Sequence, residues 1–350
     1  CDNGISAFHQ VELAKKYGMT VVITDHHEVP LDGEKEKIPP ADAVIDPKQA
    51  DCPYPFPEIC NAAVAYKLVQ VLYARRGVPQ MEWLDLLEFA AIATVGDVMK
   101  LQDENRILVK YGLKKMAQTK NLGLRRLAEK NNLDLGAITA YQNGIVIGPC
   151  LNAGGRLKTA KEALALLRAQ SEEEAERLAE ELKELNDTRK DMTEQGTEAA
   201  KLQVESWYQK DKVLVVFLPE YHESLAGIIA GRLREYYQKP AIVLTRGEEA
   251  VKGSGRSIDE YHRFTKLTEV SDLLLKFGGH PLAAGLSLEE KNIDEFRRRL
   301  NENAGLTAAD FKATVWYLRR THRCRYRDER GRRTDRRRRH QSLHLRGPQA

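Results

Sequence analysis

Short apolar runs alternate with amphipathic segments along most of this chain. Residues 7–17 have helical spacing, and the β-branched run at 19–24 predicts a strand buried on both faces of a parallel sheet. A second strand is predicted at 43–46, before a Pro-rich loop, and helices are predicted at about 62–75, 83–93, 107–115 and 123–129. This alternation is typical of a doubly wound or related α/β domain.

The longest helical pattern covers residues 171–208, which are charged but carry Leu178, Leu182 and Leu185 on one stripe. We interpret it as a single helix that joins two domains. A strand at 213–217, a helix at 224–237 and a strand at 241–244 then predict a new βαβ unit. The predicted fold class is α/β, with a parallel-sheet domain at 1–165, a connecting helix at 166–210, a smaller α/β domain at 211–312 and a disordered tail at 313–350.

The composition, with 42% hydrophobic and 30% charged residues among 350, is that of an ordinary soluble protein with room for two domains. No apolar run approaches the roughly 20 residues that span a bilayer, and the first residues do not resemble a signal peptide. The five cysteines are scattered rather than paired at metal-site spacing. We therefore expect a cytoplasmic protein with no membrane partner.

The net charge of +4 conceals a strong asymmetry along the chain. Residues 314–350 contain thirteen Arg, three acids and no Lys, a balance of +10 that leaves −6 for residues 1–313. Such a segment is either a disordered arm that contacts phosphates or a stretch without an evolved fold, as translation in a shifted reading frame would produce. The lack of periodicity and of apolar residues favours the second interpretation.

Acidic and imidazole side chains follow the first predicted strand directly, in Asp25-His26-His27. The carboxyl edge of a parallel sheet is where α/β proteins place ligands, and this combination suits a hydrolytic metal centre. A polar surface triplet explains the pattern equally well. Asp97 also follows an apolar stretch, and from that segment alone it is better explained as the N-cap of the next helix.

Three glycine-rich segments each display a cation. Residues 148–157 offer Asn152 and Arg156, and residues 253–257 form a small-residue loop around Arg256. In residues 277–281, two glycines precede His280, and the following Pro281 could begin a helix. Each segment alone is as well explained by a turn, but together Arg156, Arg256 and His280 indicate a cleft lined for phosphate.

Taken together, these segments resemble the DHH phosphoesterase superfamily. Residues 22–27, 93–99, 104–106 and 148–157 match its DHH domain, and residues 221–230, 253–257 and 277–280 match its associated DHHA1 domain. The sequences at 96–106 and 151–156 are most similar to the RecJ family of single-strand-specific DNA exonucleases. The resemblance covers residues 1 to about 312, with the motifs in the family's order.

This resemblance implies an exonuclease that degrades single-stranded DNA in the 5′→3′ direction and releases mononucleotides with two divalent cations, Mn²⁺ or Mg²⁺. It also implies partners in repair and recombination, such as a helicase and a single-strand-binding protein. By position, Asp2, His26 and Asp97 match metal ligands, Asp25 would orient the neighbouring imidazole, and His27 would face the scissile phosphate. The implied substrate-binding residues are Asn152, Arg156, Ser254, Arg256 and His280.

The sequence also departs from the family. The Asp-x-Asp motif that family members carry upstream of the residues matching Asp2 has no counterpart, and the Arg-rich tail stands where an OB domain is expected. We therefore expect a fragment, truncated in front and scrambled behind, that binds metal weakly and cuts DNA slowly. The alternatives are a DHH–DHHA1 oligoribonuclease or cyclic-dinucleotide phosphodiesterase, and a non-catalytic DNA-binding scaffold, against which the retained Asp25, His26, His27 and Asp97 argue.

Overall fold

The first strands form a small parallel pair at which the chain's N-terminus is fixed. A computed structural model of the chain describes residues 1–261, 263–280 and 283–311, and the backbone at 326–327 and 333–334; at 263–265 and 279–280 only the backbone is described. Strand β1 (Val22–Thr24) pairs in parallel with β4 (Ala43–Ile45), and helix α1 (Phe8–Lys16) precedes β1. Between them lies a small antiparallel hairpin of β2 (Leu31–Asp32) and β3 (Lys35–Glu36).

Helices dominate the next part of the chain. They pack around two apolar clusters, one centred on Ala63 and Leu108 and the other on Leu124, Leu127 and Leu182. A π-helical turn at Asn143–Ile147 leads directly into α8. The helices are α2 (Asn61–Arg75), α3 (Gln80–Leu84), α4 (Leu87–Gly96), α5 (Asp103–Met116), α6 (Leu122–Lys130), α7 (Ala140–Gln142), α8 (Gly148–Leu157) and α9 (Lys161–Leu167).

One long helix contributes to the apolar cores on both sides of it. Helix α10 (Glu172–Gln203) has 32 residues, which corresponds to about 48 Å, and its last turn continues as a π-helical segment, Val204–Tyr208. Leu178 and Leu182 pack in the preceding helical core, whereas Ala200 packs in the core of the following sheet. The helix therefore extends from one core to the other, as the apolar stripe predicts.

The C-terminal part of the described chain is a five-stranded mixed sheet in the order β5-β6-β7-β9-β8. Strand β5 (Leu214–Phe217) is parallel to β6 (Ala241–Arg246) and is joined to it by α11 (Glu223–Tyr237), as a βαβ unit requires. The remaining pairs are antiparallel. They involve β7 (Val251–Arg256), β8 (Leu274–His280) and β9 (Ala283–Leu288), with α12 (Arg263–Thr268) and α13 (Ile293–Glu302) outside the sheet.

Several local predictions were wrong. Residues 19–24 are not buried throughout, because Met19 and Val22 are exposed and only the end of the run is covered. Residues 148–157 form a helix rather than a loop, and residues 251–256 form an inner strand. Pro281 lies outside the described residues, so its predicted place at a helix start stays a prediction. Asp97 is at the C-terminal end of α4, and the N-cap of the next helix is Gln102.

Within the described residues of the Arg-rich tail, β10 (Tyr326–Arg327) pairs antiparallel with β11 (Arg333–Thr334). Residues 312–325, 328–332 and 335–350 lie outside the described residues, so disorder of this tail stays a prediction. Residues 1–307 form one compact unit. Within the described part of the chain, no helix is both long enough and apolar enough to span a bilayer.

Candidate metal centre and phosphate cleft

A glycine brings the N-terminal turn against β1 and thereby places Asp2. A Cβ on Gly4 would lie 2.8 Å from Cγ2 of Ile23, so only glycine allows this approach without displacing that side chain. The backbone N–H of Asp2 then donates to the carbonyl of Thr24 at 2.9 Å. Asp2 consequently lies beside the residues that follow β1.

Asp25 is fully buried and acts as the acceptor around which this loop is built. Its Oδ2 accepts from the backbone N–H of Ile5 at 2.8 Å, and its Oδ1 accepts from the backbone N–H groups of His26 and His27 at 2.8 and 3.2 Å. Its Oδ1 also lies 2.7 Å from Nδ1 of His27. Burial alone would raise the pKa of Asp25, but these bonds outweigh it and hold that pKa at about 2.

The imidazole that Asp25 orients is therefore that of His27. His26, in contrast, donates only its backbone N–H to Asp25. When His27 donates its Nδ1 proton to Asp25, its Nε2 is left as an acceptor on a side chain that is 46% exposed. This arrangement is compatible with the predicted role of His27 at the scissile phosphate, which stays a prediction.

Asp2, His26 and His27 bring three ligand atoms within 4.8 Å of one another. Oδ1 of Asp2 lies 3.5 Å from Nε2 of His26 and 3.6 Å from Nδ1 of His27. Asp97 lies close enough to this group for the charges of His26 and Asp2 to influence its pKa. Partial desolvation raises the pKa of Asp97 although the residue stays open to solvent on one side; the positive charge of His26 opposes the rise and the negative charge of Asp2 adds to it.

These residues fit a divalent cation. Asp2 and His26 offer a carboxylate and an imidazole within reach of each other, and Asp97 lies close enough to be influenced by their charges; carboxylates and imidazoles are donors suited to hydrolytic metals. Asp46 follows β4 at the same edge and was missed by sequence reasoning. It is 1% exposed, and burial raises its pKa, while the charge of neighbouring Asp25 contributes in the same direction. Only the parallel register of the two strands reveals this neighbour.

A cleft of about 120 Å³ lies next to this centre, since its wall includes Gly96, the residue before Asp97. Asn152 and Arg156, on α8, line the cleft together with Ile228 on α11, and the predicted roles of Asn152 and Arg156 stay predictions. Nη1 of Arg156 donates to the carbonyl of Ser224 at 3.0 Å, which ties α8 to the start of α11.

Ser254 and Arg256 lie on β7, which packs against α11. Nη1 of Arg256 donates to Oγ of Ser254 at 3.2 Å and to the carbonyl of Gly255 at 2.8 Å. Burial lowers the pKa of Arg256, and the positive charges of Arg234 and Arg156 lower it further, so the guanidinium groups of Arg156 and Arg256 lie close enough to repel each other. His280 ends β8, and its side chain lies outside the described residues.

Sequence reasoning also missed Arg189. This residue lines the cleft from α10. Its Nε and Nη2 both donate to Oδ1 of Asn186, at 3.1 and 3.0 Å. The only signal was the spacing of three residues, which places an Asn and an Arg on one helix face, but such pairs are common on charged helices.

Comparison with known proteins gives a consistent result for both halves of the chain. Residues 1–94 match the model of the DHH family, N-terminal domain, and residues 210–305 match that of the DHHA1 domain. The single-stranded-DNA-specific exonuclease RecJ of Bacillus subtilis is 38% identical over 314 residues, 89% of this chain and 38% of the relative. A crystal structure of exonuclease RecJ bound to manganese is 30% identical, with a TM-score of 0.73, over 88% of this chain and 75% of that one.

The chain belongs to the RecJ family. RecJ of Escherichia coli is 36% identical over 86% of this chain and 55% of the relative, and RecJ of Thermus thermophilus in complex with Mn²⁺ superimposes with a TM-score of 0.75 over 86% of this chain. The chain thus spans about 40 to 60% of the length of the first curated RecJ relatives it matches. The predicted family and α/β fold class are confirmed; the domain boundaries at 165, 210 and 312 stay predictions.

Proposed function

We propose that this chain hydrolyses the phosphodiester bonds of single-stranded DNA at a metal centre formed by Asp2, His26 and Asp97. The observation that carries the proposal is the adjacency of two sites. Asp97 lies close enough to Asp2 and His26 for their charges to influence its pKa, and the preceding Gly96 lines a cleft that Arg156 also lines. A phosphate held by the arginine would therefore lie beside the metal centre.

The bound cations would be Mn²⁺ or Mg²⁺, in keeping with the RecJ structures solved with these ions. When bound, such a pair supplies a hydroxide nucleophile at neutral pH and stabilises the leaving oxygen. Among the chain's own groups, buried Asp25 keeps His27 oriented. His27 can then accept or share a proton at Nε2 near the scissile phosphate.

The cleft residues would bind the strand rather than cleave it. Asn152 and Arg156 would hold one phosphate, and Ser254 with Arg256 and His280 would hold the next. The clustering of guanidinium groups supports this assignment, because Arg156 and Arg256 form no ion pair with a carboxylate within the part of the chain that the structure describes. An anionic ligand is the natural counterion for such a cluster.

The 5′→3′ polarity, the release of mononucleotides, a helicase and a single-strand-binding protein as partners, and a cytoplasmic location belong to this proposal through family resemblance alone. The most relevant curated relatives are named as single-stranded-DNA-specific exonucleases.

The proposal is tested by hydrolysis of three substrates in Mn²⁺: a 5′-phosphorylated single strand, the matched duplex and a dinucleotide. We expect turnover of the single strand to exceed that of both others. Preference for the dinucleotide would support the oligonucleotide phosphodiesterase alternative instead. Substitution His26→Ala should abolish turnover, whereas His9→Ala, at an exposed position on α1, serves as the matched control. Equal turnover by both variants would contradict the proposed centre.

A further inference from the structure

Arg189 is a partly buried cation with no counterion in the described structure. Burial lowers its pKa, as do the positive charges of Arg156 and Arg232. No carboxylate among the described residues pairs with it, although ion pairs are abundant elsewhere on α10, such as Arg177 with Glu181 and Lys183 with Asp187. Partial burial of an unpaired charge is costly, so its persistence here indicates a ligand that supplies the negative charge.

The orientation of Arg189 is fixed by a chain of buried polar groups. Asn186 is fully buried and accepts from both Nε and Nη2 of Arg189 through a single oxygen. The amide of Asn186 donates to Sγ of Cys150 at 3.3 Å, and this thiol donates to Oδ1 of Asn131 at 3.7 Å. The planar guanidinium is thus held on one edge.

Arg189 lines the cleft with part of its guanidinium free of hydrogen bonds to the described residues. Its Nη1 makes no hydrogen bond to any residue that the structure describes, and Arg189 lines the cleft together with Gly96 and Arg156. Because Gly96 precedes the candidate metal ligand Asp97, the cleft connects the metal centre with both arginines. A ligand between them would meet guanidinium groups from two different helices, α8 and α10.

We propose that Arg189, oriented by Asn186, binds the backbone phosphate of the DNA strand that lies between Asp97 and Arg156. This inference rests on the proposed function and extends it to the connecting helix, which carries none of the predicted site residues. Arg189 is a binding residue in this scheme, and Asn186 is a positioning residue that acts only through it.

The test measures the affinity of the full chain for a 5′-phosphorylated, 3′-labelled single-stranded oligonucleotide in EDTA, at several salt concentrations. Substitution Arg189→Gln should weaken binding about 10-fold or more and reduce the slope of log affinity against log salt by about 0.7, as expected for the loss of one phosphate contact on a single strand. Arg177→Gln is the matched control, because it removes the same charge from an exposed position on α10. It should leave both quantities near those of the wild type.

Asn186→Asp separates binding from a merely structural role. The new carboxylate would pair with Arg189 in place of the phosphate, so we expect affinity and slope to fall as in Arg189→Gln while the melting temperature is kept or raised. A wild type that does not bind the single strand would overturn the proposed function and this inference with it. A wild type that binds, with Arg189→Gln and Asn186→Asp both matching its affinity and slope, would overturn the inference alone.

Discussion

Replacement of Asp25 by Asn should destabilise the metal-free protein strongly. The substitution keeps the size of the side chain, but it removes the negative charge and places an amide N–H₂ against one of the donors that Asp25 now accepts from, Ile5 or His27. The ordinary pKa is 3.8 and the folded pKa is about 2, so at about 1.4 kcal/mol per pKa unit the charge stabilises the fold by about 2 kcal/mol.

The sign of the pH dependence follows from the direction of the shift. Because the folded pKa of Asp25 is depressed, its contribution is fully present above the unfolded pKa and is lost as pH falls from about 4 towards 2. The free-energy difference between wild type and Asp25→Asn should therefore be largest near pH 7 and shrink to about half near pH 3.

The assay is urea unfolding in EDTA, followed by circular dichroism between pH 7 and pH 3. Asp51→Asn, at an exposed position in the loop after β4, is the control and should change stability by less than about 0.5 kcal/mol. A deficit for Asp25→Asn below about 0.5 kcal/mol at pH 7, or one that stays constant down to pH 3, would refute the reasoning.

Three further substitutions test the packing of the site and the helical core. Gly154→Ala should lower the free energy of unfolding by about 1–3 kcal/mol, because its Cβ would lie 2.8 Å from the carbonyl oxygen of Thr159. In the control Gly155→Ala, the Cβ would come no closer than 3.5 Å to any neighbour, so thermal melts of the two variants should show a neutral or stabilising effect for Gly155→Ala alone. Gly227→Ala should weaken single-strand binding several-fold without loss of stability, because its Cβ would lie only 2.8 Å from Nη2 of Arg256 and would displace that guanidinium. In the control Gly231→Ala, the Cβ would lie 3.9 Å from Cγ of the same arginine, and binding should match that of the wild type. Burial raises the pKa of Glu88, so Glu88→Gln should stabilise the protein at pH 8, with the gain vanishing below about pH 4.5; an equal gain at both pH values would contradict this.

The sequence was sufficient for elements whose periodicity is strong. The stripe of Leu178 and Leu182 predicted a helix through 171–208, and the observed helix differs mainly in its final π-helical turn. The βαβ unit around α11 was likewise predicted to within a few residues. In both cases, local spacing and tertiary burial favour the same structure.

Glycine-rich segments were less predictable, because glycine there serves packing rather than turns. Gly154 lies inside a helix where a side chain would collide with the next loop, and Gly253 lies in an inner strand where a Cβ would be 2.5 Å from Leu244. Local propensity assigns such residues to loops, and only the neighbouring elements explain them.

Motifs identified the candidate site residues, but not the contacts among their side chains. Asp2, His26 and His27 lie together in the structure, whereas the metal-ligand role predicted for Asp2, His26 and Asp97 stays a prediction, and the preference of Asp25 for the His27 ring depends on side-chain rotamers. Arg189 and Asp46 could not be predicted, since their significance arises from elements that are distant in sequence.

The central claim is that Asp2, His26 and Asp97 form a metal centre that cleaves single-stranded DNA. The most direct test is the rate at which the chain releases mononucleotides from a 5′-labelled single strand in Mn²⁺, measured for the wild type, for His26→Ala and with EDTA. We predict release that requires Mn²⁺ and falls by about 100-fold or more in His26→Ala. Release that persists in EDTA, or that is unchanged in His26→Ala, would contradict the account.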